Sequence, residues 1–365
     1  MSNIKIQYFI YTLNYDKMKK LTNTLSTKGY DVRSLPISST MELICLTAIA
    51  KYKSENLTAV IQLRNRHRHI RCGAVGMEII RVRTKLKGGF KMCTSFAVYS
   101  QEKAIYGMNF DTDEIDLQLK VNRYNDMNLF YFSALAGNKY RNIAGFNSEG
   151  LFICTQAVKY NSDFKSSCDE NDWTAFDIFD EALKKTKRTS EFFGILNKRV
   201  ISYPRNPLYP DLGLHTMIAD KTGDALILEE GNDTNIVTPI HNDFIIMTNF
   251  SNGDFKEADY NKVYGLGADR YICAHEYIND HIHSFGINEA FEVLSKTSQE
   301  NTLCSIVYDP SKNEIYISFK KDLRKKWKIS IMEKTIQSLE GFLGNNKIQF
   351  TNGEIFVNDL IRLYK

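Results

Sequence analysis

Residues 93–111 constrain the fold of this chain more than any other stretch. Cys93 opens a run of strand-forming residues, the polar stretch Ser100 to Lys103 turns the chain, and a second run, Ala104 to Phe110, leads back to Asp111. Such a hairpin brings Asp111 near Cys93. A cysteine at a strand tip beside a carboxylate is a candidate nucleophile, because the carboxylate can hold a cation that favours the thiolate. An apolar-flanked cysteine taken alone is more often part of a core. Met92 sets Cys93 apart: translation begun there, or cleavage before Cys93, would give the cysteine its own α-amine. That amine titrates at about 7.7 to 8.0, so it can take the thiol proton without help from a histidine.

The 365 residues allow one large domain or two modest ones, and 43% hydrophobic with 25% charged residues is ordinary for a globular protein. No apolar run reaches the length of a membrane span, and the N-terminus lacks a signal-peptide pattern; a cytoplasmic protein is expected. Seven cysteines, at positions 45, 72, 93, 154, 168, 273 and 304, form no CxxC pair, which points to neither a zinc ribbon nor a disulfide framework. The net charge of +4 hides a break, with +12 on residues 1–92 and −8 on the remainder. The basic segment, centred on Arg64 to Arg71, has the clustered arginines of a phosphate-binding surface but no DNA- or RNA-binding signature. His67 and His69 lack further metal ligands. Lys87 to Met92 can be back-translated into a bacterial ribosome-binding sequence followed by a start codon. Residues 1–92 are therefore expected to be a basic leader, a propeptide or upstream translation, and residues 93–365 the folded domain.

Beyond the hairpin, strands are expected over Ile115 to Val121 and, ambiguously with helix, over Asn128 to Leu135. Gly145 to Leu151 reads as a turn, with Asn147 and Gly150 suited to positive φ. Asp172 is the expected N-cap of a helix from Trp173 to Lys185, followed by a shorter one from Ser190 to Arg199. The link Tyr203 to Pro210 holds three of the six prolines and is expected to be extended. His215 to Asp220 and Ala225 to Glu229 flank a hairpin turn, and His215, at a strand start, is expected to be structural. A strand from Asp243 to Met247 ends in Thr248-Asn249, where an asparagine amide suits an oxyanion donor. A helix is expected from about Arg270, another from Asn288 to Lys296, and a hairpin of Thr302 to Asp309 with Glu314 to Phe319. In the tail, Ile331, Ile336, Leu339 and Phe342 suggest an amphipathic helix, and no P-loop or dinucleotide fingerprint occurs.

These residues resemble the cysteine N-terminal-nucleophile hydrolases that cleave linear amides. That group comprises the choloylglycine hydrolases, among them bile salt hydrolases and penicillin V acylases, with related acid ceramidase and acyl-CoA:6-aminopenicillanate acyltransferase branches. Cys93-Thr94-Ser95 is similar to the family's nucleophile start, and Gly107-x-Asn109-Phe110-Asp111 to its Gly-Arg-Asn-x-Asp element. Met108 departs from the arginine of the choloylglycine and ceramidase branches, a residue the acyltransferase branch also lacks. The turn at Gly145 to Leu151, the segment Ala219-Asp220-Lys221-x-Gly223, Thr248-Asn249 and Arg270 resemble later family motifs in the same order. Gln156 falls where the family often supplies an active-site asparagine or tyrosine.

The resemblance implies an α+β fold, the four-layer αββα sandwich of N-terminal-nucleophile hydrolases. It implies that Cys93 is the nucleophile, that Asp111 fixes the α-amine, that Asn249 lines an oxyanion hole and that Arg270 supports the charge balance. Met108 and Gln156 are the candidate substrate-binding residues. The implied reaction is hydrolysis of a small-molecule amide, with no cofactor, no metal and no membrane partner; a homo-oligomer is implied by the family alone. Alternative readings are an acyltransferase of the 6-aminopenicillanate type, or a non-catalytic or nucleic-acid-binding protein that uses the basic segment.

Overall fold

The computed structural model describes residues 30–33, 48–52, 58–65, 77–85, 93–101, 103–112, 115–136, 138–160, 173–196, 199–202, 212–231 and 234–364. The chain forms two compact units, Met1–Gly89 and Phe90–Lys365. In the first, strands β1 (Tyr30–Arg33), β2 (Ala48–Tyr52), β3 (Thr58–Asn65) and β4 (Met77–Lys85) make one antiparallel sheet in sequential order. His67, His69, Cys45, Cys72 and Met92 lie outside the described residues, as do Cys168, Asp172 and the proline-rich link.

The second unit begins with the hairpin expected from the sequence. Strand β5 (Thr94–Ser100) pairs antiparallel with β6 (Lys103–Asp111), Phe96 opposite Gly107 and Thr94 opposite Asn109. Gly107 is needed there, since a Cβ at that position would run into the Phe96 ring. Next come β7 (Leu117–Tyr124), β8 (Met127–Ala136), β9 (Lys139–Asn147), β10 (Phe152–Lys159), β11 (Trp173–Thr174) and β12 (Ile201–Ser202). They are followed by β13 (Leu212–Ala219), β14 (Ala225–Glu230), β15 (Asn235–Pro239) and β16 (Phe244–Met247). The later strands are β17 (Thr302–Asp309), β18 (Glu314–Phe319), β19 (Trp327–Ser330), β20 (Thr335–Ser338), β21 (Lys347–Gln349) and β22 (Glu354–Phe356).

Two eight-stranded antiparallel sheets result, in the orders β16-β5-β6-β17-β18-β19-β20-β21 and β15-β14-β13-β10-β9-β8-β7-β22. Among the described residues five helices accompany them: α1 (Ala175–Lys185), α2 (Thr189–Leu196), α3 (Ala268–His281), α4 (Ile287–Lys296) and α5 (Val357–Ile361). The fold is therefore α+β. Alternation along β5 explains its central place. Cys93 and Ala97 join a core with Phe152 and Cys154 of β10, whereas Phe96 and Val98 join one with Ala274 of α3 and Leu294 of α4. The other sheet packs Ile153 and Leu228 with Phe179 and Leu183 of α1. Each face of β5 is thus buried, which a strand of small and apolar residues tolerates.

Three expectations are corrected. The tail is a meander of β19 to β21, followed by β22, which joins β7 in the other sheet, and by the short helix α5, because left-handed turns at Lys334 (φ 55°) and Gly341 (φ 77°) break any helix through Ile331 to Phe342. Helix α1 is capped by Thr174: its hydroxyl accepts from the Asp177 amide at 3.3 Å, and the Asp177 carboxylate accepts from the Thr174 amide at 2.9 Å. Asn147 ends β9 without positive φ; only Gly150 of that turn has it, at 94°. The Asn147 side chain holds the turn instead, donating to Leu183 and Thr186 carbonyls and accepting from the Leu151 amide.

Candidate active site

Cys93 lies directly before β5 and is buried. The hairpin register carries Asp111 past Asn109 to the same end of the sheet, where β17 places Thr302 opposite it. The Thr302 hydroxyl donates to Asp111 Oδ1 at 2.5 Å, while the buried Oδ2 has no hydrogen-bond partner among the described residues. Burial pushes the Asp111 carboxyl up to about 6, against the pull of the Thr302 hydrogen bond and the positive charges of Arg270 and Lys321.

Arg270 stands in the first turn of α3, only 4% exposed, and is not the solvated arginine usual at a helix start. Its Nη1 donates to the Cys93 carbonyl at 2.6 Å and to Thr94 Oγ1 at 2.7 Å, and its Nη2 donates to Asn249 Oδ1 at 2.6 Å. Burial lowers the guanidinium pKa and the charges of Asp111 and Cys93 raise it; an arginine stays protonated throughout. The preceding Gly267 has φ of 82°, and a Cβ there would collide with the Arg270 guanidinium. The helix entry therefore needs glycine for both its backbone and its space.

Asn249 follows β16 at the point where the two sheets meet through a parallel bridge between Lys159 and Phe250. Its carbonyl accepts from the Lys159 amide at 2.7 Å and its Nδ2 donates to the Ala157 carbonyl at 2.6 Å. With Oδ1 held by Arg270, both ends of the amide are oriented. A second network fixes the residue before it. The Thr248 carbonyl accepts from Gln156 Nε2 and from His215 Nε2, the latter at 2.7 Å. Because a carbonyl only accepts, His215 carries a proton on Nε2. Its Nδ1 lies 3.2 Å from Glu229 Oε1, and the Glu229 carboxylate also accepts from the amides of Asn252 (3.0 Å) and Gly253 (2.6 Å) and from the Ser251 hydroxyl (3.1 Å).

Cys93, Asp111, Asn249 and Arg270 thus belong to one buried cluster. Gln156 enters it through protein contacts, its Oε1 accepting from the Ser95 hydroxyl at 3.2 Å. Met108 is buried in the same core as Cys93, opposite Ser95 and Ile306. Thr94, Thr302 and the His215–Glu229 pair were not read as site residues from the sequence. Thr302 carries no signal at all, being 191 residues from Asp111. Glu229 could have been found by counting back from the turn at Lys221 to Asp224, since the β13–β14 register sets it opposite His215.

Two of the other described thiols, Cys154 and Cys304, are poor nucleophiles. Burial pushes Cys154 up to about 12 and Cys304 well above its ordinary value, so neither supplies thiolate near neutral pH. Among the described residues no group of three potential metal ligands occurs, and no helix is long and apolar enough to cross a membrane.

No protein-family model matches the chain, and no curated protein matches it. Among solved structures, it is similar to the penicillin V acylase from Agrobacterium tumefaciens, at 15% identity and a TM-score of 0.48, over 68% of this chain and 91% of that one. It is also similar to a mutant conjugated bile acid hydrolase from Clostridium perfringens, at 14% identity and a TM-score of 0.46, over 71% of this chain and 97% of that one. The likeness is one of fold.

Proposed function

We propose that this protein hydrolyses a linear amide by acyl transfer to Cys93, acting once Cys93 is the first residue of the working chain. Residues 1–92 are then a segment removed before activity or absent from the native product, and the two sheets and their helices form the four-layer αββα sandwich. One observation carries the reading: Arg270 ties the Cys93 carbonyl, Thr94 and Asn249 together beside a buried aspartate whose Oδ2 has no partner among the described residues. A freed α-ammonium on Cys93 would be the natural donor to that oxygen.

The chemistry follows from these groups. The Asp111 carboxylate favours the ammonium form of the α-amine, and hence transfer of the thiol proton to it. The thiolate forms a bond to the amide carbon, and Asn249 Nδ2, which also donates to the Ala157 carbonyl at 2.6 Å, stabilises the charge that develops on oxygen. The C–N bond breaks as the α-ammonium returns its proton to the departing amine. Water then adds to the thioester, giving a carboxylic acid and the free thiol. Gln156 and His215 act as positioning residues through the Thr248 carbonyl, and Met108 gives the site an apolar floor. The missing arginine at Met108 also favours a second reading, in which an amine in place of water accepts the acyl group.

The test is intact-mass and N-terminal analysis of the protein expressed from its native gene, followed by an amide-substrate screen with the Cys93→Ala variant as control. A chain that starts at Cys93 and loses turnover in the variant is expected. Turnover by a chain that keeps residue 92, or by folded Cys93→Ala, would overturn the mechanism.

A further inference from the structure

Strand β17 carries a bulge where it meets the end of β6. Ser305 pairs with Asn109 and Cys304 with Phe110, but the next residue of β6, Asp111, pairs with Thr302, so Leu303 is an extra residue. A regular ladder would set Leu303 opposite Asp111. The bulge sets a hydroxyl there instead and leaves Leu303 to pack against the core that holds Cys93. Both sides of the bulge are clamped. The Ser305 hydroxyl donates to Asn109 Oδ1 at 2.6 Å on one side, and the Thr112 amide donates to the Asn301 carbonyl at 3.0 Å on the other.

The hydroxyl is oriented as well as placed. The Gln299 amide donates to Thr302 Oγ1 at 2.7 Å, and the Thr302 amide donates to the Gln299 carbonyl at 3.1 Å, which closes a tight turn ahead of β17. With one lone pair held by an amide, the single hydroxyl proton is directed at Asp111 Oδ1. Thr302 is 2% exposed, and among the described residues it is the one hydrogen-bond partner of the Asp111 carboxylate. Burial disfavours that carboxylate. The Thr302 bond is the largest effect opposing burial, ahead of the charges of Arg270 from α3 and of Lys321 from the segment after β18.

We infer that Thr302 is a positioning residue for the proposed acyl transfer: set by the bulge at Leu303 and aimed by the Gln299 amide, its hydroxyl holds Asp111 Oδ1 and leaves Oδ2 to the α-amine of Cys93. The role rests on the acyl-transfer reading, whereas the hold of Thr302 on Asp111 can be measured without turnover.

Thr302→Val removes the hydroxyl at nearly constant volume, Thr302→Ser keeps it, and Thr302→Ala is a second hydroxyl-free variant if valine prevents folding. The first measurement is urea unfolding of the full chain from pH 4 to pH 8, taking the part of the pH slope that Asp111→Asn removes. Burial holds the folded pKa above 3.8, so in the wild type this stability is lost as pH rises towards about 6. Arg270 and Lys321 stay charged throughout. In Thr302→Val the loss is expected to run about one pH unit higher, the size of one hydrogen bond to a charged group, and in Thr302→Ser to stay in place. The second measurement is amide turnover by the protein expressed from its native gene. Thr302→Val should lower kcat on the order of tenfold at unchanged KM and move the acidic limb of its pH profile upward, while Thr302→Ser keeps most of the rate. A stability window that does not move in the folded hydroxyl-free variants, a serine variant shifted as far as they are, or an unchanged kcat profile would overturn the inference. A window that moves as expected in chains that turn over no amide would instead overturn the acyl-transfer reading and leave the hold of Thr302 on Asp111 in place.

Discussion

Arg270 fixes the direction of the Asn249 amide: Nη2 donates to Oδ1 at 2.6 Å, which turns Nδ2 the other way, towards Ala157. The same guanidinium holds the Cys93 carbonyl through Nη1, so one planar group sets the backbone of the candidate nucleophile and the candidate oxyanion donor in a single frame. Lysine keeps the charge but offers a point of donation in place of a fork. Arg270→Lys is expected to lower kcat on the order of 100-fold with little change in KM. Arg270→Met removes a buried hydrogen-bonded charge and should also cost about 3 kcal/mol of stability. Steady-state kinetics and urea unfolding check both, and unchanged kcat in Arg270→Lys would contradict the shared frame.

Gly267 gives a second test of that frame from the backbone. Alanine there adopts a strained φ near 82° and meets the guanidinium. Gly267→Ala is expected to destabilise the protein by about 1–3 kcal/mol and to lower turnover as Arg270 is displaced. Gly223, whose φ is 103° but where a Cβ meets nothing within 4 Å, is the control: Gly223→Ala should cost stability and leave turnover unchanged. Equal effects at the two glycines on turnover would show that the guanidinium contact does not matter.

In the proposed mechanism His215 and Glu229 act at one remove from the reacting atoms, through the Thr248 carbonyl. Glu229→Ala deprives His215, two backbone amides and the Ser251 hydroxyl of their acceptor, and is expected to cost about 2–4 kcal/mol. Hydrogen exchange at the Asn252 and Gly253 amides should rise with it. His215→Gln, which can still donate to the Thr248 carbonyl, should retain more kcat than His215→Ala at unchanged KM. If the two variants are equally slow, His215 is only packing.

Much of the fold was legible because local signals and pairing agree. The Thr302–Asp309 and Glu314–Phe319 hairpin, with Asn313 at φ 52° in its turn, has the bounds expected from apolar runs around Pro310 to Asn313. The tail misled because Ile331, Ile336, Leu339 and Phe342 fit a helical stripe about as well as a strand face. The pairing of Ile336 with Ile329 and Ile348 across two hairpins decided it, and the turn at Lys334, a non-glycine residue at φ 55°, carries no strong sequence signal. The site divides in the same way. Cys93 and Asp111 share one hairpin, so their approach follows from its register, but Arg270 meets Cys93 across 177 residues and no spacing rule reaches that far.

Asp111 supplies the last prediction, because its protonation reports whether Cys93 carries a free amine. In the full chain burial raises its pKa from 3.8 to about 6, so the folded state binds its proton more tightly than the unfolded state does. The resulting stability is fully present below about pH 4 and is lost as pH rises towards about 6, by about 3 kcal/mol at most. Asp111→Asn should abolish this slope. In a chain that starts at Cys93, an α-ammonium beside Oδ2 would depress the pKa instead. The Asp111 contribution is then present above about pH 4 and lost as pH falls below it, the opposite sign. Urea unfolding at intervals from pH 3 to pH 7 on both chains and on Asp111→Asn distinguishes the cases. The same slope in both chains would mean that the amine does not reach Asp111, and the proposed proton path through it would fail.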